Sequence, residues 1–269
     1  MKKYLVLFAL VLGVKGVVAE DQKQQDTIVV DRSMFEMPQE EYPRSVINRP
    51  LTLKQSMFEV NLSPAALVSS ENIATIAGTF DAGFKYGISH DIEFGLSANV
   101  FAGVTSPVLT MVTEDGYVGS WFNTARASLT YQFFNDGHFR VAGTGAYNYT
   151  KVGINIAETI LSGKYTLDPL ALQLNLGYNK VLADESVGVA VIHPEILLQL
   201  GSSFSTGFGI KYTTLLENTD FNSLLVTTSA TWSLNKNIDV SVNSAFSPEI
   251  TTSSSALPMQ VGLQLSWRI

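Results

Sequence analysis

The sequence predicts an all-β chain, a transmembrane antiparallel β-barrel of about twelve strands, and three observations predict it. The chain of 269 residues is 46% hydrophobic yet only 15% charged, where roughly 25% charged is ordinary for a soluble domain. Beyond the N-terminus no apolar run approaches the roughly 20 residues that a membrane helix needs, so the hydrophobicity is spread thinly. From residue 56 onward apolar and polar side chains alternate with a period of two, which is the strand signature. A chain this apolar is not a disordered one. The absence of cysteine excludes a disulfide framework, thiolate metal sites, a cysteine nucleophile and a lipid anchor on cysteine.

Residues 1–19 read as a secretory signal peptide. Lys2 and Lys3 form its positive start, and Tyr4–Val14 is its apolar stretch. Val17-Val18-Ala19 supplies the small residues of a cleavage site. With Lys15 interrupting it, this stretch is too short to span a bilayer. Its removal takes away three lysines and no acids, which moves the formal net charge from −7 to −10. A chain so acidic lacks the basic footprint of a nucleic-acid binder. Residues 20–50 are polar, carry Pro38, Pro43 and Pro50, and show little periodicity. They are expected to form an extended, mobile arm in the periplasm, with the barrel over 51–269.

The clearest strands are 79–88, 92–104, 121–133, 170–179, 204–214, 224–234, 238–246 and 257–269, with weaker alternation in 56–67, 139–150, 156–167 and 189–200. In 79–88 Phe80, Ala82, Phe84, Tyr86 and Ile88 share one face and Thr79, Asp81, Gly83, Lys85 and Gly87 the other. In 92–104 the apolar face runs Ile92, Phe94, Leu96, Ala98, Val100, Ala102, Val104, against Glu93, Gly95, Ser97, Asn99, Phe101 and Gly103. A soluble sandwich turns such an apolar face to a core, whereas a membrane barrel turns it to lipid and lines its lumen with the polar face. The strand lengths favour the barrel, being near what a tilted crossing requires and longer than the usual five or six residues of soluble sheets. Small residues crowd the polar side, as Gly83, Gly87, Gly95, Gly103, Gly207, Gly209 and Gly262. Aromatics such as Tyr86, Trp121, Tyr131, Phe133, Tyr147, Tyr149, Tyr178, Tyr212, Trp232 and Trp267 fall near strand ends, where interfacial girdles sit.

The connections alternate in length, which sets the topology. Ser89-His90-Asp91, Asn135-Asp136-Gly137-His138, Asp168-Pro169, Gly201-Ser202-Ser203 and Asn235-Lys236-Asn237 have hairpin-turn chemistry. The stretches 105–118, 180–188, 215–222 and 247–256 are longer, while 68–72 is short. Short periplasmic turns with longer outer loops and an even strand number place both termini in the periplasm.

Val261, Leu263, Leu265, Trp267 and Ile269 are apolar at every second position to the end. This resembles the terminal strand signal of bacterial outer-membrane proteins, which implies recognition by the barrel-insertion machinery. The family pattern ends in Phe or Trp, whereas this chain ends in Ile269. Within the arm, Asp26-Thr27-Ile28-Val29-Val30 resembles the TonB box of TonB-dependent outer-membrane receptors. The resemblance implies TonB as a partner, reached by adding this segment to a sheet edge. The chain is too short for that family's separate plug and large barrel. Arg49-Pro50-Leu51-Thr52-Leu53, Phe58-Glu59-Val60, Tyr86-Gly87-Ile88 and Asp91-Ile92-Glu93-Phe94-Gly95-Leu96 resemble small outer-membrane barrels of the phenol-degradation MetA-like family. That resemblance covers about a fifth of the chain and implies passage of small, apolar compounds.

Parity assigns Glu59, Asp81, Glu93, Glu158, Glu195 and Asp239 to the lumen as acids, and Lys85, Arg126, Arg140, Lys164, Lys211 and Arg268 as bases. Six against six suits either a cross-linked interior or a mixed-charge pore. Twelve strands fall between the filled eight-stranded and the open sixteen-stranded barrel. The connections hold Glu71, Glu114, Asp115, Asp184, Glu185, Glu217, Asp220 and Glu249 against Lys151 and Lys180, a rim for cationic solutes, divalent ions or simply water. Enzymes do occur on twelve-stranded barrels as outer-membrane phospholipases, with a His-x-Ser pair. Here His90 and His138 fall in turns, and His193 is followed by Pro194 and Glu195. No catalytic site, metal or cofactor is expected. The expected function is an outer-membrane channel for small solutes. The alternatives are a TonB-coupled small transporter or receptor using residues 26–30, and a structural or adhesive barrel acting through its outer loops.

Overall fold

The computed structural model describes residues 42–69, 75–105, 117–151, 153–182, 186–216, 222–247 and 259–269. The signal peptide, the Asp26–Val30 segment and the acids of the longer connections lie outside these residues. Twelve strands form: β1 (Phe58–Ser69), β2 (Thr75–Gly87), β3 (Ile92–Thr105), β4 (Tyr117–Asn135), β5 (Phe139–Thr150), β6 (Asn155–Leu167), β7 (Leu170–Leu182), β8 (Val187–Leu200), β9 (Phe204–Leu215), β10 (Asn222–Ser233), β11 (Ile238–Phe246) and β12 (Met259–Arg268). Each pairs antiparallel with its sequence neighbours, and β1 pairs with β12 to close the barrel. Closure leaves no sheet edge, the condition a sheet must meet to cross lipid. A 13-residue strand such as β7, tilted about 45°, rises about 30 Å, the thickness of a hydrocarbon layer.

Alternation shows directly in exposure. Along β7 Leu172, Leu174, Leu176 and Tyr178 are exposed, while Gln173, Asn175 and Gly177 face inward and are half-buried. The outer face carries aromatics at both ends. Tyr86, Phe133, Phe134, Phe139, Tyr165, Trp232 and Trp267 lie toward the tight turns, and Tyr147, Tyr149, Tyr178 and Tyr212 toward the longer connections. Two of the tight turns are tied by their own Asx chemistry. The Asp136 carboxylate accepts from His138 N at 3.0 Å and Phe139 N at 2.5 Å. The Phe139 amide is the main cause that holds the Asp136 carboxyl below its usual range. Asn235 Oδ1 accepts from Asn237 N and Ile238 N at 2.7 and 2.9 Å.

Three irregularities depart from the simple pattern. The β2–β3 and β3–β4 ladders both skip Val100, a bulge that adds one residue and reverses parity beyond it. Phe101 therefore pairs with Phe80 on the lipid face and Ala102 with Thr79 on the lumen face, the reverse of the sequence expectation. A second bulge in β4, between Gln132 and Phe134, leaves Phe133 and Phe134 both exposed. Pro64 and Pro194 stand at gaps in the β1–β12 and β8–β9 ladders, because proline has no amide to donate.

Candidate functional site

The expected mobile arm over 20–50 does not extend through residues 42–50. From Tyr42 to Met57 the chain lies in the lumen at the tight-turn end, directly before β1. A single 3₁₀ turn, Val46–Asn48, drives Ile47 into a fully buried site against Ala171 and Leu197. Both are inward positions where the polar pattern of the lumen is broken. Tyr42, Leu53 and Met57 form a second apolar cluster beside it.

Irregular backbone in a membrane barrel must have its polar groups answered, and here the wall answers them with side chains. Gln199 Oε1 accepts from Val46 N at 3.0 Å. Lys164 Nζ donates to Val46 O at 2.9 Å and Arg49 O at 3.2 Å. Ile47 O accepts from Thr166 Oγ1 at 3.2 Å and Arg140 Nη1 at 3.5 Å. Gln132 Oε1 and Glu93 Oε2 each take an amide at 2.9 Å, from Leu51 and Leu53.

A buried ion network fastens the segment. The Arg49 guanidinium forks onto both oxygens of Asp239 and donates to Ser233 Oγ at 3.0 Å. Its remaining donors meet Pro43 O and Arg44 O at 3.0 and 2.9 Å. From the far side, Arg268 reaches Asp239 at 2.6 Å and Glu59 at 2.5 Å. Planar, bidentate geometry of this kind offsets the loss of hydration that buried charges suffer. The Tyr42 ring sits beneath both guanidiniums, 5.7 Å from Arg49 and 5.2 Å from Arg268. Its hydroxyl is pushed up to about 12, because burial outweighs the pull of the neighbouring arginines.

Of the twelve charged residues that parity sends inward, seven belong to this end. Glu59, Lys85, Glu93, Arg140, Lys164, Asp239 and Arg268 bind the segment or one another, with Lys85 and Glu93 paired at 3.5 Å. Arg126 and Glu158 form a separate pair at 3.0 Å across β4 and β6. Asp81 accepts from Asn99 at 2.8 Å. Asp81 and Glu195 line a cavity of about 390 Å³ at mid-strand level, together with His193, Thr227, Ser229, Asn243, Gln260 and Gln264. Lys211 faces inward on β9, beside that lining. His193 Nε2 lies 3.1 Å from Thr227 Oγ1.

Sequence reasoning missed Arg49, Gln132, Thr166, Gln199 and Ser233. The signal that could have found them is the trio Ala142, Ala171 and Leu197, small or apolar residues at inward positions and all buried. An apolar lumen residue near a strand end marks a place where something other than water is packed.

No family model matches the chain, and no curated protein matches its sequence. Solved structures do match its fold. An outer-membrane channel from Pseudomonas putida F1 superposes with a TM-score of 0.59 at 9% identity, over 82% of this chain and 97% of that one. The NanC porin gives 0.58 at 6% identity over 78% of this chain and all of that one. The KdgM porin gives 0.53 at 8% over 77% and 98%. At such identities the likeness is one of fold, a twelve-stranded closed barrel.

Proposed function

We propose that this protein is an outer-membrane channel for small solutes in a Gram-negative bacterium, with residues 42–57 setting the narrowest level of its lumen at the periplasmic end. The observation that carries this reading is a cavity of about 390 Å³, with Asp81 and Glu195 in its lining, inside a barrel whose outer face is apolar. The names of the similar barrels, porins and an outer-membrane channel, support it. The exposed alternate residues of β12, from Val261 to Ile269, suit the barrel-insertion machinery as an assembly partner and lipid as the permanent one. The carboxylates of Asp81 and Glu195 in the lining favour charged cargo over the apolar compounds that the MetA-like resemblance implies. Full-length protein refolded into a planar bilayer tests the channel. Small conductance steps are expected, growing in Arg49→Ala as the tie to Asp239 is cut. Silence from both proteins would reject the channel and favour a structural barrel that acts through its loops.

One observation supports a second reading, coupling to TonB. Residues 26–30 precede the docked segment in the chain, so tension on them would be transmitted to Tyr42–Met57. Binding to the TonB C-terminal domain should then vanish when residues 26–30 are deleted, and unchanged binding rejects the coupling.

A further inference from the structure

We infer that the mid-lumen cavity is a binding site for a small hydroxylated organic cation, of the amino-sugar or amino-alcohol class. The inference rests on the channel reading, since it names the solute that the same lumen would select. The lining contains two carboxylates, Asp81 and Glu195, and neither lysine nor arginine. No ion pair among the described residues joins either acid to a base. Among the described residues Asp81 takes only the neutral Asn99 amide, at 2.8 Å. Around the acids stand hydroxyls and carboxamides, Thr227, Ser229, Asn243 and Gln264, groups that both donate and accept. Acids answer an ammonium group and the amide–hydroxyl wall answers a polyol. A cavity of about 390 Å³ is at the small end of the ligand-site range, large enough for a single hexose-sized solute.

The shape of the site is built, and glycine builds it. A Cβ on Gly207 would stand 2.4 Å from Ser229 Oγ and 2.6 Å from Glu195 Oε1. A Cβ on Gly209 would stand 2.8 Å from Thr227 Oγ1 and 2.9 Å from His193 Nε2. Bare backbone on β9 thus lets Glu195 and His193 of β8 lie flat across it to Ser229 and Thr227 of β10. Their polar ends rest on the wall, and the centre is left for solute. Lys164, whose charge acts on Glu195 from the tight-turn end, and Lys211, next on the inward face of β9 and acting on His193, both lie outside the lining. Their effect on a cationic solute is repulsive.

Titration calorimetry on the full-length protein in detergent micelles tests this, with glucosamine, glucose and galacturonate as three probes of one shape and three charges. Glucosamine is expected to bind saturably at one site, glucose at least tenfold more weakly, and galacturonate not at all. Asp81→Asn with Glu195→Gln should weaken glucosamine by tenfold or more, the scale of a lost charge-assisted hydrogen bond. Lys211→Gln should tighten it by about twofold, an increase that damage to the fold would not produce. Equal binding of the three probes, or affinity unmoved in both the double variant and Lys211→Gln, overturns the site; should the double variant fail to fold, the ligand series and Lys211→Gln decide. Conductance is read separately. Protein that binds glucosamine yet passes no current keeps the site and loses the channel, and protein that conducts without binding it does the reverse.

Discussion

The two levels of the lumen are made of the same strands by the same alternation, yet they are opposite in character. At the tight-turn end each inward charge has a partner, and Arg49 from the docked segment supplies the positive charge that Asp239 shares with Arg268. At mid-strand level Asp81 and Glu195 face a cavity with neither lysine nor arginine in its lining. The difference teaches that charge balance in a barrel is local. A count of six inward acids and six inward bases describes neither level, because one is over-supplied with cations from the arm and the other is left acidic.

The largest way to break the contrast is Asp239→Ala. It strands Arg49 and Arg268 in a buried site, which typically costs about 3–5 kcal/mol. Urea unfolding should show that loss, and a shift under 1 kcal/mol would mean the network is wet and not structural. Ile47→Ala should cost about 2–5 kcal/mol, but at the docking step alone. Conductance and protease cleavage within 42–57 should rise while the unfolding midpoint of the barrel scarcely moves; a matching fall in the midpoint would show that segment and barrel unfold as one. Gly209→Ala acts on the other level. Its methyl group overpacks Thr227 and His193 at about 1–3 kcal/mol, and it should abolish glucosamine binding while leaving the docked segment protected.

The smallest effect at neutral pH belongs to Tyr42→Phe, and it grows in alkali. A hydroxyl raised from 10 to about 12 is held protonated by the fold. Its contribution is therefore complete below about pH 10 and is lost as pH rises toward 12. Absorbance at 295 nm should show one late-ionising tyrosine in the wild type that the variant lacks. Identical alkaline profiles would place Tyr42 in water.

Most of the barrel was legible because period two is a property of nearest neighbours along the chain. The observed strands fall within a few residues of the predicted ones, although inward Val189, Val191 and Leu197 blur the alternation of 189–200. Phe101 was misplaced because a bulge is invisible to parity, which assumes one residue opposite one. Docking of 42–57 was not legible for a different reason. An irregular segment has no period, and what holds it, such as Lys164 to Val46 O or Gln199 to Val46 N, joins residues far apart in sequence. Glu195 and His193 were placed in the lumen by parity, but the recess that Gly207 and Gly209 give them depends on three adjacent strands.

The seam between β1 and β12 carries a consequence for assembly. Phe58 and Ile269 exchange both of their backbone hydrogen bonds, at 3.0 and 2.8 Å, so the last residue of the chain completes the first strand. Bringing chain ends together across a whole domain is the slow kind of contact, although its entropic cost grows only with the logarithm of loop length. Tyr42–Met57 is tethered to Phe58 and makes its bonds to β2–β6, β8, β10 and β11, strands on most sides of the lumen. It therefore has to be in place before the last pairing forms or be threaded in afterwards. A nascent barrel that docks the segment early would use it as an internal template, gathering distant strands around one short peptide before the ring is sealed.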